Sequence, residues 1–106
     1  MTLQQLEYLV AVDRLQHFGR AAHACHVSQP TLSAMLQKLE AELGVTLFER
    51  SARGVRTTTV GHKVVEMARI TLTAAERLKQ VVEEETQSVQ GTFRLGILPT
   101  IAPYLL

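Results

Sequence analysis

The chain has 106 residues, of which 46% are hydrophobic and 20% charged, with a single cysteine and a formal net charge of +1. That is ordinary material for one domain or a small domain with an arm; it excludes an internal disulfide, and no apolar run approaches the roughly 20 residues of a membrane span. The charge falls short of the strongly basic balance of many nucleic-acid binders, yet it is unevenly spread: Arg50, Arg53 and Arg56 lie together without an acid, while Glu83, Glu84 and Glu85 cluster far downstream.

Thr2 and Gln5 form a capping-box pattern, and Leu3, Leu6, Leu9, Val10 and Val12 follow at helical spacing, which predicts a first helix from Leu3 to Gln16. Phe18, Ala21, Ala22, Cys25 and Val27 then supply the apolar or small positions of a short second helix, with His17 and Arg20 near its start and able to meet a phosphate. Ala22 is small enough to let two helices cross closely. Ser28 is a good N-cap, and Pro30 falls in the first turn of a third helix, where its missing N–H is harmless.

That third helix carries two contrasting faces. Leu32, Leu36, Leu39 and Leu43, with Met35 beside them, make an apolar stripe. The other face holds Gln29, Thr31, Ser33, Ala34, Gln37 and Lys38, with Glu40 and Glu42 only toward the C-terminal end. Short amides, hydroxyls and a methyl group near a helix N-terminus suit base edges in a major groove, where a carboxylate close to phosphate would repel. The plainer alternative is a generic helical hairpin.

Gly44 can end this helix. Val45, Leu47, Phe48 and Val55 then surround a turn containing Arg53 and Gly54, predicting a two-stranded wing with arginines at its tip, placed to enter a narrow minor groove or clamp phosphates. From Thr59 to Val89 a long helix is expected, about 45 Å for 30 residues. Val65, Ala68, Leu72, Ala75 and Val82 repeat on a seven-residue pattern and predict a dimerisation seam, the alternative being that the helix folds back on its own domain. Phe93, Leu95 and Ile97 alternate with polar or small residues, as a strand opening a further domain would, before Pro99 and Pro103 break the pattern.

SQPTLS at Ser28 to Ser33, LEAELGVTLFER at Leu39 to Arg50 and TTTVG at Thr57 to Gly61 closely resemble the N-terminal domain of LysR-type transcriptional regulators. The resemblance covers about residues 1–90, and FGRAAHACHVSQPTLS with LGILPTIAPYLL is most similar to the peroxide-sensing members. It implies a mainly α fold: a winged helix-turn-helix of three helices plus a two-stranded wing over residues 1–58 (helix-turn-helix about 18–37), a linker dimerisation helix over 59–90 and the start of a regulatory domain over 91–106. It further implies a dimer on double-stranded DNA, a tetramer for the full-length protein, contact with RNA polymerase and no cofactor; a cytoplasmic location is the default for a chain with one cysteine and no secretory or membrane-spanning pattern.

By motif position Gln29, Pro30, Thr31, Ser33 and Ala34 would lie at base edges, His17, Arg20, Ser28 and Lys38 at phosphates, and Arg50 and Arg53 in the wing. Two departures stand out. His26 occupies the turn where many relatives carry Gly, and Ala34 stands where some carry Arg, so DNA shape would take more of the specificity. In peroxide-sensing relatives the reactive cysteines belong to the regulatory domain, and Thr100 would match a threonine of the peroxide pocket. Four other readings compete: a metal sensor of His17, His23, Cys25 and His26; Cys25 as a redox switch; a metabolite-responsive regulator; and a scaffold that dimerises without DNA. An enzyme finds no support, since no phosphate-cradling loop or nucleophile–base pair is present.

Overall fold

The capping box at the start of the chain is formed: Thr2 Oγ1 accepts the Gln5 N–H at 3.1 Å and Gln5 Oε1 accepts the Thr2 N–H at 2.9 Å. Helix α1 therefore begins at Leu3 and runs to Leu15, and Gln16 closes it in a left-handed conformation with φ 52°. The computed structural model describes residues 1–96, with side chains up to residue 87. After α1 come α2 (Phe18–Ala24), α3 (Gln29–Leu43), the antiparallel strands β1 (Phe48–Ser51) and β2 (Gly54–Thr57), and α4 (Thr59–Gly96).

Three helices and the root of the wing share one core. Leu9, Val12, Leu32, Leu39 and Leu47 are its largest fully buried side chains. Each contributes roughly 1.5–3 kcal/mol relative to exposure in water. Ala21 and Ala22 are also buried, which keeps α2 thin where it crosses its neighbours. A polar tie runs through this core: Gln5, 5% exposed, donates from Nε2 to the Met35 carbonyl at 3.1 Å and fixes α1 against α3.

The turn between α2 and α3 is made without glycine, and His26 takes φ 60° to make it. Histidine is among the non-glycine residues that enter this region at modest cost. The wing register pairs Phe48 with Thr57, Glu49 with Arg56, Arg50 with Val55 and Ser51 with Gly54, leaving Ala52 and Arg53 at the tip; Gly54 has φ 115°.

The chain divides into a first unit, Met1–Leu72, and a second beginning at Thr73. In the first, Val65 and Ala68 are buried in the core just described, with Val64 and Leu72 packed against it. Val65 and Ala68, expected in a seam between two chains, are thus taken up by the chain's own core, and Leu72 is partly so: the opening turns of α4 lie against the chain's own helices. In the second unit Ala75 is half-buried and Val82 exposed. Helix α4 also continues to Gly96, past Gln90, so the backbone at Phe93 and Leu95 is helical where alternation predicted a strand. Ile97, Pro99, Thr100 and Pro103 lie outside the described residues.

Candidate nucleic-acid interface

The start of α3 is built by its cap. Ser28 Oγ accepts the Thr31 N–H at 3.2 Å and donates its own proton to Thr31 Oγ1 at 2.9 Å. That consumes the Ser28 hydroxyl proton, so of the two hydroxyls it is Thr31 that keeps a donor. Gln29, Pro30, Thr31, Ala34, Gln37 and Lys38 are exposed on this helix. Its two acids are tied back to the chain: Glu40 Oε2 accepts the Leu47 N–H at 2.6 Å and the Phe48 N–H at 3.3 Å, and Glu42 pairs with the N-terminal ammonium of Met1 at 2.6 Å. The polar front of α3 is thus a surface of amide, hydroxyl, methyl and ammonium groups with both carboxylates of the helix engaged elsewhere.

Beside it lies the start of α2. His17 is the N-cap, its Nδ1 accepting the Arg20 N–H at 2.9 Å, which leaves Nε2 as the proton-bearing nitrogen of the neutral ring. Gly19 follows, with room for little else: a Cβ there would stand 3.0 Å from His17 Cε1 and 3.5 Å from Gln29 Oε1. His17, Gly19 and Gln29 line an open groove whose far wall is Arg50, Ser51 and Gly54 of the wing. Arg20 is exposed beside it.

In the wing the arginines diverge. Arg56 is paired with its cross-strand neighbour Glu49 at 3.0 Å. Arg53 is exposed at the tip, where its N–H donates to Ser51 Oγ at 3.2 Å. Arg50 turns inward to the helices: its guanidinium carbon lies 3.8 Å from the centroid of the Phe18 ring, and its Nη2 donates to Ser33 Oγ at 2.9 Å. Ser33 is accordingly half-buried, whereas Gln29, Pro30, Thr31 and Ala34 of the base-reading set proposed from the sequence are exposed.

The wing is held to the helices by groups that local pattern did not single out. Asp13 Oδ1 accepts the Thr57 hydroxyl at 2.8 Å, and Gln16 Nε2 donates to the same Thr57 oxygen at 3.0 Å. Arg69 of α4 reaches Asp13 Oδ2 at 3.4 Å.

Among the described residues no group of three or more His, Cys, Asp or Glu is placed to hold a metal ion. Cys25 is half-buried at the end of α2, and burial, with a smaller contribution from the Glu7 charge and against a lowering by Arg14, raises its thiol above the ordinary value. A raised thiol holds less thiolate at neutral pH and reacts more slowly. No helix among the described residues is long and apolar enough to cross a membrane.

A short helix crossing a second helix, whose polar N-terminal face stands exposed beside a two-stranded flap, defines a winged helix-turn-helix DNA-binding domain. A family model described as "Bacterial regulatory helix-turn-helix protein, lysR family" matches residues 3–62, and the chain belongs to the LysR family. Over all 106 residues it is 46% identical to the "DNA-binding transcriptional dual regulator OxyR" of Escherichia coli (strain K12). Over the same length it is 47% identical to the "Hydrogen peroxide-inducible genes activator" of Pectobacterium carotovorum subsp. carotovorum. The chain spans 35% of the length of each of these relatives.

Solved structures agree. One described as "Full-length OxyR C199D from pseudomonas aeruginosa" is 51% identical with a TM-score of 0.76, covering 78% of this chain and 28% of that one. The "CbnR_DBD-DNA complex" is 41% identical with a TM-score of 0.77, covering 81% of this chain and 99% of that one.

Proposed function

We propose that the chain reads double-stranded DNA as a homodimer, laying α3 in the major groove of each of two half-sites related by two-fold symmetry. The observation that carries this reading is the front of α3, where exposed amide, hydroxyl and methyl groups stand clear of both acids of the helix. Gln29 and Thr31 hydrogen-bond base edges, Pro30 and Ala34 meet thymine methyls, and Ser33 adds a hydroxyl at the wing side. His17, Arg20 and Lys38 hold phosphates. Ser28 takes part through the helix start that it caps, since its proton is already spent on Thr31. Arg53 at the wing tip serves the minor groove.

The dimer contact belongs to α4. Leu78, Val81 and Val82 are 66%, 48% and 57% exposed, an expanse of apolar side chain that a second copy would cover. The names of the relatives support a role in the transcriptional response to hydrogen peroxide. To this reading belong a cytoplasmic location, a regulatory domain that receives the signal, a tetramer for the full-length protein and RNA polymerase as the downstream partner.

The test is Gln29→Ala measured on two duplexes. On a preferred site the variant loses about 1–3 kcal/mol of binding, and on an unrelated sequence it binds like wild type. Equal losses on both duplexes would remove Gln29 from base recognition.

A further inference from the structure

We propose that Arg50 is a positioning residue for base recognition, which presents the Ser33 hydroxyl to a base, and is not a cation that serves a phosphate. The proposal rests on the DNA-reading role of α3 given above and deepens it at one position.

Three elements meet at this guanidinium. Arg50 projects from β1, its guanidinium carbon lies over the Phe18 ring of α2 at 3.8 Å from the centroid, and its Nη2 donates to Ser33 of α3 at 2.9 Å. Phe18 is itself held: its ring meets that of Phe48, the first residue of β1, edge-on at a centroid distance of 6.1 Å, and both rings are more than 90% buried. The support for the guanidinium is therefore a fixed apolar platform, and one wall of the contact is the strand from which the arginine springs. A flexible phosphate-seeking cation needs no such platform, whereas a planar fork that must hold one geometry does.

The consequence for Ser33 is chemical. A hydroxyl has one proton and two lone pairs. With one lone pair taken by a cationic donor, the oxygen is a poorer acceptor and its O–H a better donor, because hydrogen bonds in a chain polarise one another. A donor at the major-groove edge selects acceptors, namely guanine O6 and N7, adenine N7 or thymine O4, and discriminates against the cytosine amino group. Arg50 thereby also links the wing to the recognition helix, so wing placement and base choice at the Ser33 position are set together.

The test is a double-mutant cycle with Arg50→Lys, which keeps the charge but has neither the plane to stack nor the fork, and Ser33→Ala. Affinities are measured on a duplex selected from random sequence and on a scrambled duplex. Arg50→Lys is expected to lose about tenfold on the selected duplex, the lower end of what one well-placed base contact supplies, with scrambled-duplex affinity and salt slope unchanged. Ser33→Ala is expected to lose a similar amount, and the double variant no more than either single one.

Additive losses, or wild-type discrimination by Arg50→Lys, overturn the proposal. So does a salt slope lowered by about one in Arg50→Ala, the mark of a lost phosphate contact. If wild type itself does not distinguish the two duplexes, the base-reading function fails first, which separates that failure from a failure confined to Arg50.

Discussion

At Gly61 a missing side chain holds two elements together. A Cβ there would run into the Leu47 carbonyl oxygen and stand 2.9 Å from Thr57 Cγ2, so only glycine lets the first turn of α4 press against the root of the wing. Thr58 completes the junction: its hydroxyl donates to the Thr46 carbonyl at 2.6 Å and accepts the Gly61 N–H at 3.0 Å, capping α4. Gly61→Ala is expected to destabilise the fold by about 1–3 kcal/mol, because the clash is with backbone, which cannot turn away. Urea denaturation checks it; a variant as stable as wild type would mean that α4 is free to move off Leu47. In the sequence Gly61 closes the TTTVG stretch near the start of a long helical pattern, with nothing local to require glycine there. Its reason lies in Leu47, a contact that no local spacing encodes. His26 is the opposite case, since the absence of glycine from the turn is visible in the sequence, and the left-handed φ of 60° is how the chain accommodates it.

Among the elements, those governed by neighbours in sequence were legible. The capping box of α1, Ser28 at the start of α3, Gly44 at its end and Gly54 in the wing all stand where local chemistry puts them. What local chemistry could not supply is the use of side chains across elements. Glu40 reads as a solvated acid at the end of α3, yet its carboxylate satisfies two amides at the start of the wing. Arg50, Arg53 and Arg56 read as one basic cluster, yet one is stacked on Phe18, one is paired with Glu49 and Arg53 stands exposed at the tip. Period-two alternation at Phe93 and Leu95 suggested a strand, but a strand needs a partner for its backbone, and α4 satisfies that backbone internally through Gly96. The division among the arginines makes a prediction: Arg53→Ala should weaken binding to all sequences and lower the salt slope by about one. An unchanged slope in a titration from low to moderate salt would detach the wing tip from DNA.

For the molecule as a whole, the sequence shows an apolar stripe along the last helix without saying what fills it. The opening turns fill it from within, through Val65, Ala68 and Leu72, while Leu78, Val81 and Val82 remain exposed. A seam drawn from the seven-residue repeat alone therefore mixes core positions with positions free to pair. Leu78→Glu should place a charge in the dimer contact and favour monomer in sedimentation equilibrium; an intact dimer would move the contact elsewhere on the chain. In the proposed dimer the polar front of α3 gains its second copy, and two copies related by symmetry would read half-sites one helical turn, or a multiple, apart. Selection of bound duplexes from random sequence tests this most directly, because binding, base preference and symmetry are read at once. The proposed symmetric dimer predicts enrichment of an inverted repeat with that spacing, whereas recovery of unenriched sequence, or of a single unrepeated motif, would contradict it.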